Sequence, residues 1–159
     1  MTANTSPVSE TRTFRAASSD VAEIDQWMEG VGARWQVAER AMFRGRVCVA
    51  ELVANALEHG DASPERDAVT ITLQHHAPDL GIEYADTTAP FDPTTFSTPS
   101  DPHAEDGEDV GLGGRGLRLL HAYASHLSYR YDGRRNLVSF RVTGEQPSRE
   151  SRASPAFSC

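Results

Sequence analysis

Long apolar runs are missing from this 159-residue chain. No stretch approaches the roughly 18 to 20 apolar residues that a helix needs to cross a bilayer, so no membrane span is expected. The N-terminal segment MTANTSPVSETRTF has neither a basic start nor an apolar block, and it does not read as a secretory signal. The expected compartment is therefore the cytoplasm. Cysteine is scarce: Cys48 falls inside a helical pattern and Cys159 is the last residue of a polar tail, so neither a structural disulfide nor a metal-spaced pair is expected. Positive charge is also in short supply. Fifteen Lys and Arg face 23 Asp and Glu, for a formal net charge of -8. That balance argues against direct nucleic-acid binding, which rests on neutralising phosphates, and it suits a basic protein partner.

What is present is an ordinary globular composition, 38% apolar and 24% charged, at the length of one domain. Residues 1–10 and 144–159 are rich in Ser, Thr, Pro and charge and read as disordered tails around a domain at 11–143. A strand near Thr11–Ala17 leads to a helix capped near Asp20, with Glu23 placed as in a capping box and Val21, Ile24, Met28 and Val31 as its apolar stripe. A second helix spans about Val37–Glu58. Its stripe is Met42, Val49, Leu52, Val53, Ala56 and Leu57, and His59-Gly60 closes it.

Val69, Ile71 and Leu73 alternate, as do Ile82 and Tyr84 up to Asp86, which gives two strands. Residues 87–112 have almost no periodicity and read as a lid. Gly111–Gly116 opens a third helix, and a hairpin with its turn at Asp132-Gly133 ends the domain. The order β-α-α-β-β-lid-α-β-β predicts an α/β (α+β) two-layer sandwich, with a mixed, mostly antiparallel sheet and helices on one face.

Three blocks carry chemistry. In ELVANALEHG, residues 51–60, Glu51, Asn55 and His59 are spaced by four and share a helix face opposite the apolar stripe. Alone, that spacing also describes a solvated face. Chemically, an Asn oxygen is a hard neutral ligand suited to Mg²⁺ held mainly by phosphates and water, and a carboxylate one turn earlier can orient or deprotonate a hydroxyl. In IEYADTTAPFDP, Asp86 ends a strand and can accept a hydrogen bond from an exocyclic amine, although Asp also commonly starts a turn. In VGLGGRGLRLL, Gly111, Gly113, Gly114 and Gly116 free the backbone to approach an anion at a helix N-terminus. The block is neither a Rossmann fingerprint nor a P-loop, because it follows a polar lid and lacks Gly-Lys-Ser/Thr.

Together, in this order, the blocks resemble the GHKL ATPases, whose motifs are an Asn-bearing helix, an Asp-x-Gly turn and a glycine-rich lid end. Within that superfamily the chain looks like the stand-alone anti-sigma regulatory serine/threonine kinases. The match lies in Glu51…Asn55…His59, in Pro90-Phe91-Asp92-Pro93 and in Gly113-Gly114-Arg115-Gly116-Leu117. One position departs: Thr88 stands where the family turn has glycine, adding β-branched bulk where the base approaches.

The resemblance implies a Bergerat-type fold binding ATP and Mg²⁺. Asp86 would read adenine and Asn55 would hold the metal. Gly111, Gly113, Gly114, Arg115, Gly116 and Leu117 would line the phosphates, and Glu51 would act as catalytic base. It also implies a kinase and anti-sigma factor that works by partner switching on a sigma factor or a STAS-domain antagonist, with a homodimer contact through the first strand or helix. A non-catalytic ATP- or ADP-binding adaptor is the alternative, and Thr88 is the residue that favours it.

Overall fold

The computed structural model describes residues 7–95 and 112–145, with backbone alone over 112–116. The expectations for the outer parts of both tails and for most of the lid lie outside the described residues.

β1 (Val8–Arg15) opens the domain and pairs along its whole length with β2 (Ala68–His76). It begins three residues before the domain start read from composition, and Glu10 is tied down there, accepting hydrogen bonds from Trp27 Nε1 at 2.9 Å and Arg34 Nη2 at 2.6 Å. A 3-10 turn over Ser18–Asp20 leads into α1 (Val21–Trp35), which buries Ile24, Met28 and Val31.

The expected capping box does not form. Asp20 already has helical φ -90 and ψ -9, and its carboxylate turns back to accept from Arg15 N at 3.1 Å and Arg15 Nη2 at 2.9 Å. Glu23 instead pairs with Arg12 of β1. Arg12 and Arg15 in the preceding strand outcompete the helix's own N–H groups for these two carboxylates, because hydrogen bonds between charged partners are the stronger ones.

α2 (Glu39–His59) buries Met42, Val49, Leu52, Val53 and Ala56 as its periodicity requires, with Leu57 partly buried at the rim. Gly45 lets this helix lie directly on the sheet, since a Cβ there would fall 2.9 Å from Ile82 Cδ1 and 3.2 Å from Leu80 Cδ2. β3 (Asp79–Asp86), α3 (Leu112–Tyr123), β4 (Ala124–Tyr131) and β5 (Asn136–Val142) complete the order. The sheet runs β1-β2-β3-β5-β4 with every neighbouring pair antiparallel, so the expected mixed sheet is in fact uniformly antiparallel.

One sheet face carries Val69, Ile71, Leu73, Leu80, Ile82, Tyr84, Val138, Phe140 and Val142, all buried under the helices. The other carries hydroxyl pairs such as Thr11–Thr72 at 2.8 Å and Ser128–Ser139 at 2.7 Å. This strict period of two separates an apolar layer from a polar one, as an antiparallel sheet covered on one side demands. No helix among the described residues is long and apolar enough to cross a membrane.

Candidate nucleotide site

Register builds the site. Val69 lies opposite Asp86, and Asp86 lies opposite Asn136, so an acid and an amide are cross-strand neighbours on the helix-covered face of the sheet. Both are buried, at 5% and 3% exposure. Asn136 Nδ2 donates to Asp86 Oδ1 at 2.9 Å, and its Oδ1 accepts from Tyr129 Oη at 2.8 Å and from Phe91 N at 3.0 Å. The same Nδ2 lies 3.1 Å from the Ala89 carbonyl oxygen. Asn136 therefore joins the final hairpin, the start of the lid and the end of β3 through one side chain.

The turn after Asp86 is pinned from both sides. Thr87 Oγ1 donates outward to Asp67 Oδ1 at 3.0 Å. Thr88 turns inward, donating to Asp86 Oδ1 through its backbone N–H at 2.9 Å and through Oγ1 at 2.6 Å. Its side chain is buried against the end of α2, where an added Cβ at Gly60 would meet Thr88 Oγ1 at 2.4 Å and Thr88 Cβ at 2.6 Å. Gly60 has φ -86, so it is not there for a left-handed helix stop. A side chain there would meet both the Ala56 carbonyl oxygen at 2.5 Å and the Thr88 side chain, which together leave no room for a Cβ.

From α2, the expected polar face divides. Glu51 is half-buried, Glu58 and His59 are exposed, and Asn55 is buried at 5% exposure. Asn55 thus does not lie opposite the apolar stripe. The helix is covered by the sheet below and by α3 alongside, and the widened buried arc takes in position 55. Its Nδ2 has no hydrogen-bond partner among the described residues. Burial, then the charge of Glu58, push the Glu51 carboxyl above its ordinary value.

Asn55, Asp86, Thr88, Gly60 and Asn136 line one cavity of about 20 Å³, which Tyr84 and Val138 floor and Phe91 and Pro93 cover. Phe91 is exposed, and its ring stacks on His59 with centroids 6.2 Å apart. α3 is tied to this cover through His121 Nε2 on the Pro93 carbonyl at 2.8 Å.

Asn55 and Asp86, singled out on separate segments, therefore meet at one cavity. Gly113, Gly114 and Gly116 lie in the first turns of α3, while Gly111 and the side chain of Arg115 lie outside the described residues. Leu117 is buried in the apolar core and does not line this cavity. Sequence reasoning missed Asn136 and the Gly60–Thr88 contact. Asn136 carries no local signal, because beside Arg134-Arg135 it reads only as the residue after a turn.

The residues fit an adenine nucleotide in kind. The buried Asp86 carboxylate takes its donors from Thr88 and Asn136 on Oδ1, and the buried Asn55 carboxamide has an end unpaired among the described residues, which is costly for a group sealed from water. A carboxamide also exchanges N for O by turning over, so that end can equally present its oxygen. The space as it stands takes about one water. A purine is far larger than that space, so its entry requires the cavity to widen.

A one-sided antiparallel sandwich, with a buried acid at the end of a central strand facing an Asn-bearing helix, defines the class as a histidine kinase-like ATPase domain. Residues 14–142 match the family model of that description, and the chain belongs to this family, as its three motif blocks lead one to expect. The chain is similar to the serine/threonine-protein kinase BtrW of Bordetella bronchiseptica, 31% identical over 113 residues that cover 70% of this chain and 78% of that protein. Its fold is similar to a solved structure of the RsbU and RsbW domains of Rv1364c from Mycobacterium tuberculosis, with a TM-score of 0.58 at 14% identity. That likeness covers 89% of this chain and 34% of the other, and it is one of fold alone.

Proposed function

We propose that the protein is an ATP-dependent serine/threonine protein kinase and anti-sigma factor of the cytoplasm, which switches partners by phosphorylating a STAS-domain antagonist and otherwise holding a sigma factor. The observation that carries this reading is the buried Asn55 carboxamide, unpaired at Nδ2 among the described residues, at the same cavity as the buried Asp86. The similarity to a named serine/threonine-protein kinase supports it.

In this reading Asp86 accepts the exocyclic amine of adenine, and Asn55 turns its oxygen to Mg²⁺. The first turn of α3, with Gly113 and Gly114, offers unpaired N–H groups to the phosphates, and Gly116 one turn on adds no side chain in their way. Gly111 and Arg115 join them, and Leu117 anchors this helix in the core. Mg²⁺, when bound, supplies charge neutralisation across the phosphates. Glu51 takes the proton of the substrate serine as the serine oxygen bonds to the γ-phosphorus and the bond from that phosphorus to the β–γ bridging oxygen breaks, releasing ADP; its raised proton affinity suits a base. A homodimer through β1, an edge strand, or through α1 belongs to the same proposal.

The test mixes the protein, Mg-ATP and a STAS-domain antagonist and measures phosphoserine. Transfer is expected, with loss in Glu51→Ala and loss of magnesium-dependent ATP binding in Asn55→Ala. A second reading, a non-catalytic nucleotide-binding adaptor, is favoured by Thr88 filling the turn beside Asp86. Tight ATP binding without any phosphoserine would select it.

A further inference from the structure

We propose that Thr88 is a positioning residue for Asp86 and sets how strictly the cavity distinguishes an amino-purine from an oxo-purine. The inference rests on the nucleotide reading above. From sequence, threonine at this place is only added bulk. The structure gives that bulk a berth and the hydroxyl a task.

The side chain is lodged against Gly60, where its Cβ and Oγ1 take the room a Cβ at position 60 would need. Thr88 is 5% exposed, so its body is packed against the end of α2. Its Oγ1 sits 2.6 Å from Asp86 Oδ1. The Thr88 backbone N–H at 2.9 Å and Asn136 Nδ2 at 2.9 Å reach the same oxygen. Three donors thus converge on Oδ1 and restrain the carboxylate, whose other neighbour is the Tyr84 hydroxyl; in this proposal the base is read at Oδ2.

An ionised carboxylate offers only acceptors, at Oδ2 as at Oδ1. It attracts the 6-amino group of adenine and repels the 6-oxo group of hypoxanthine or guanine. Without the Thr88 hydroxyl, one of the three restraints is lost. The acid then rotates more freely, and the penalty against the oxo-purine relaxes.

Calorimetric titration with Mg-ATP and Mg-ITP tests this on wild type, Thr88→Ser, Thr88→Val and Thr88→Gly. Thr88→Ser keeps the hydroxyl and should keep the wild-type ATP-to-ITP preference. Thr88→Val keeps the shape against Gly60 but should bind ATP about tenfold more weakly, the scale of one hydrogen bond to a charged group. Its preference over ITP should shrink. A general loosening of the fold would weaken both nucleotides together and leave that ratio in place. An unchanged ratio in Thr88→Val, or tighter ATP binding by Thr88→Gly than by wild type, overturns the proposal and makes Thr88 an obstruction. Wild type that binds neither nucleotide overturns the nucleotide reading itself, and this inference with it.

Discussion

The two ends of the interface between α2 and the sheet follow opposite rules. Around Gly45 the helix lies against Ile82, Leu80 and Val142 with nothing polar between them. Two to three turns later the same helix faces Asp86, Thr88 and Asn136 across a small cavity, with one amide nitrogen unpaired among the described residues. The first end is packed like any protein interior, where apolar burial outweighs conformational entropy. The second keeps buried polar groups that would be cheaper as apolar ones. Stability accounts for the first end, and the unpaired group at the second is best explained by a ligand.

The comparison can be broken first at the dry end. Phe140→Ala removes a fully packed ring opposite Ile82 and should cost about 4 kcal/mol in urea unfolding. ATP affinity of the folded fraction should hardly change; a large loss of affinity would mean that the two ends are not independent. Next comes Asn136→Ala, which strands the Phe91 N–H, the Tyr129 hydroxyl and one restraint on Asp86. It should lower stability by about 3 kcal/mol and also weaken ATP binding, a paired loss that Phe140→Ala should not show.

Asn55→Leu sharpens the contrast in the other direction. Replacing a buried amide whose Nδ2 is unpaired among the described residues with an apolar side chain of similar size should raise the unfolding free energy by about 1–2 kcal/mol while abolishing magnesium-dependent nucleotide binding. A destabilised Asn55→Leu would show that the amide has a structural partner after all.

The smallest effect concerns pH. Glu51 holds its proton more tightly than an ordinary glutamate, first through burial and then through Glu58. A base with raised proton affinity loses activity from a higher pH downward, so phosphoryl transfer should fall on acidification before an ordinary glutamate would protonate. Glu58→Gln removes one negative neighbour and should move that acid limb to lower pH. An unmoved limb would remove Glu51 from the proton transfer.

Much of this was legible from local pattern. Val69, Ile71 and Leu73 alternate because β2 is covered on one face only, and the stripe from Met42 to Ala56 reports the buried side of α2. Such signals reach through neighbours two to four residues apart, so they survive in a linear string. Local spacing suggests a capping box at Asp20 and Glu23, but Arg12 and Arg15, in the strand before, claim both carboxylates. The burial of Asn55 escapes helical periodicity because the width of a buried arc depends on how many layers touch the helix.

By itself the sequence determined the order of elements, the apolar and polar faces, the family and the residue types that a nucleotide site needs. Only the tertiary structure decided that Asp86 and Asn136 sit side by side, that Thr88 is seated against Gly60 with its hydroxyl on the acid, and that Asn55 is buried. The reason is physical: periodicity is a property of neighbouring residues, whereas strand register and helix seating bring together atoms that are 28 to 50 residues apart in the chain.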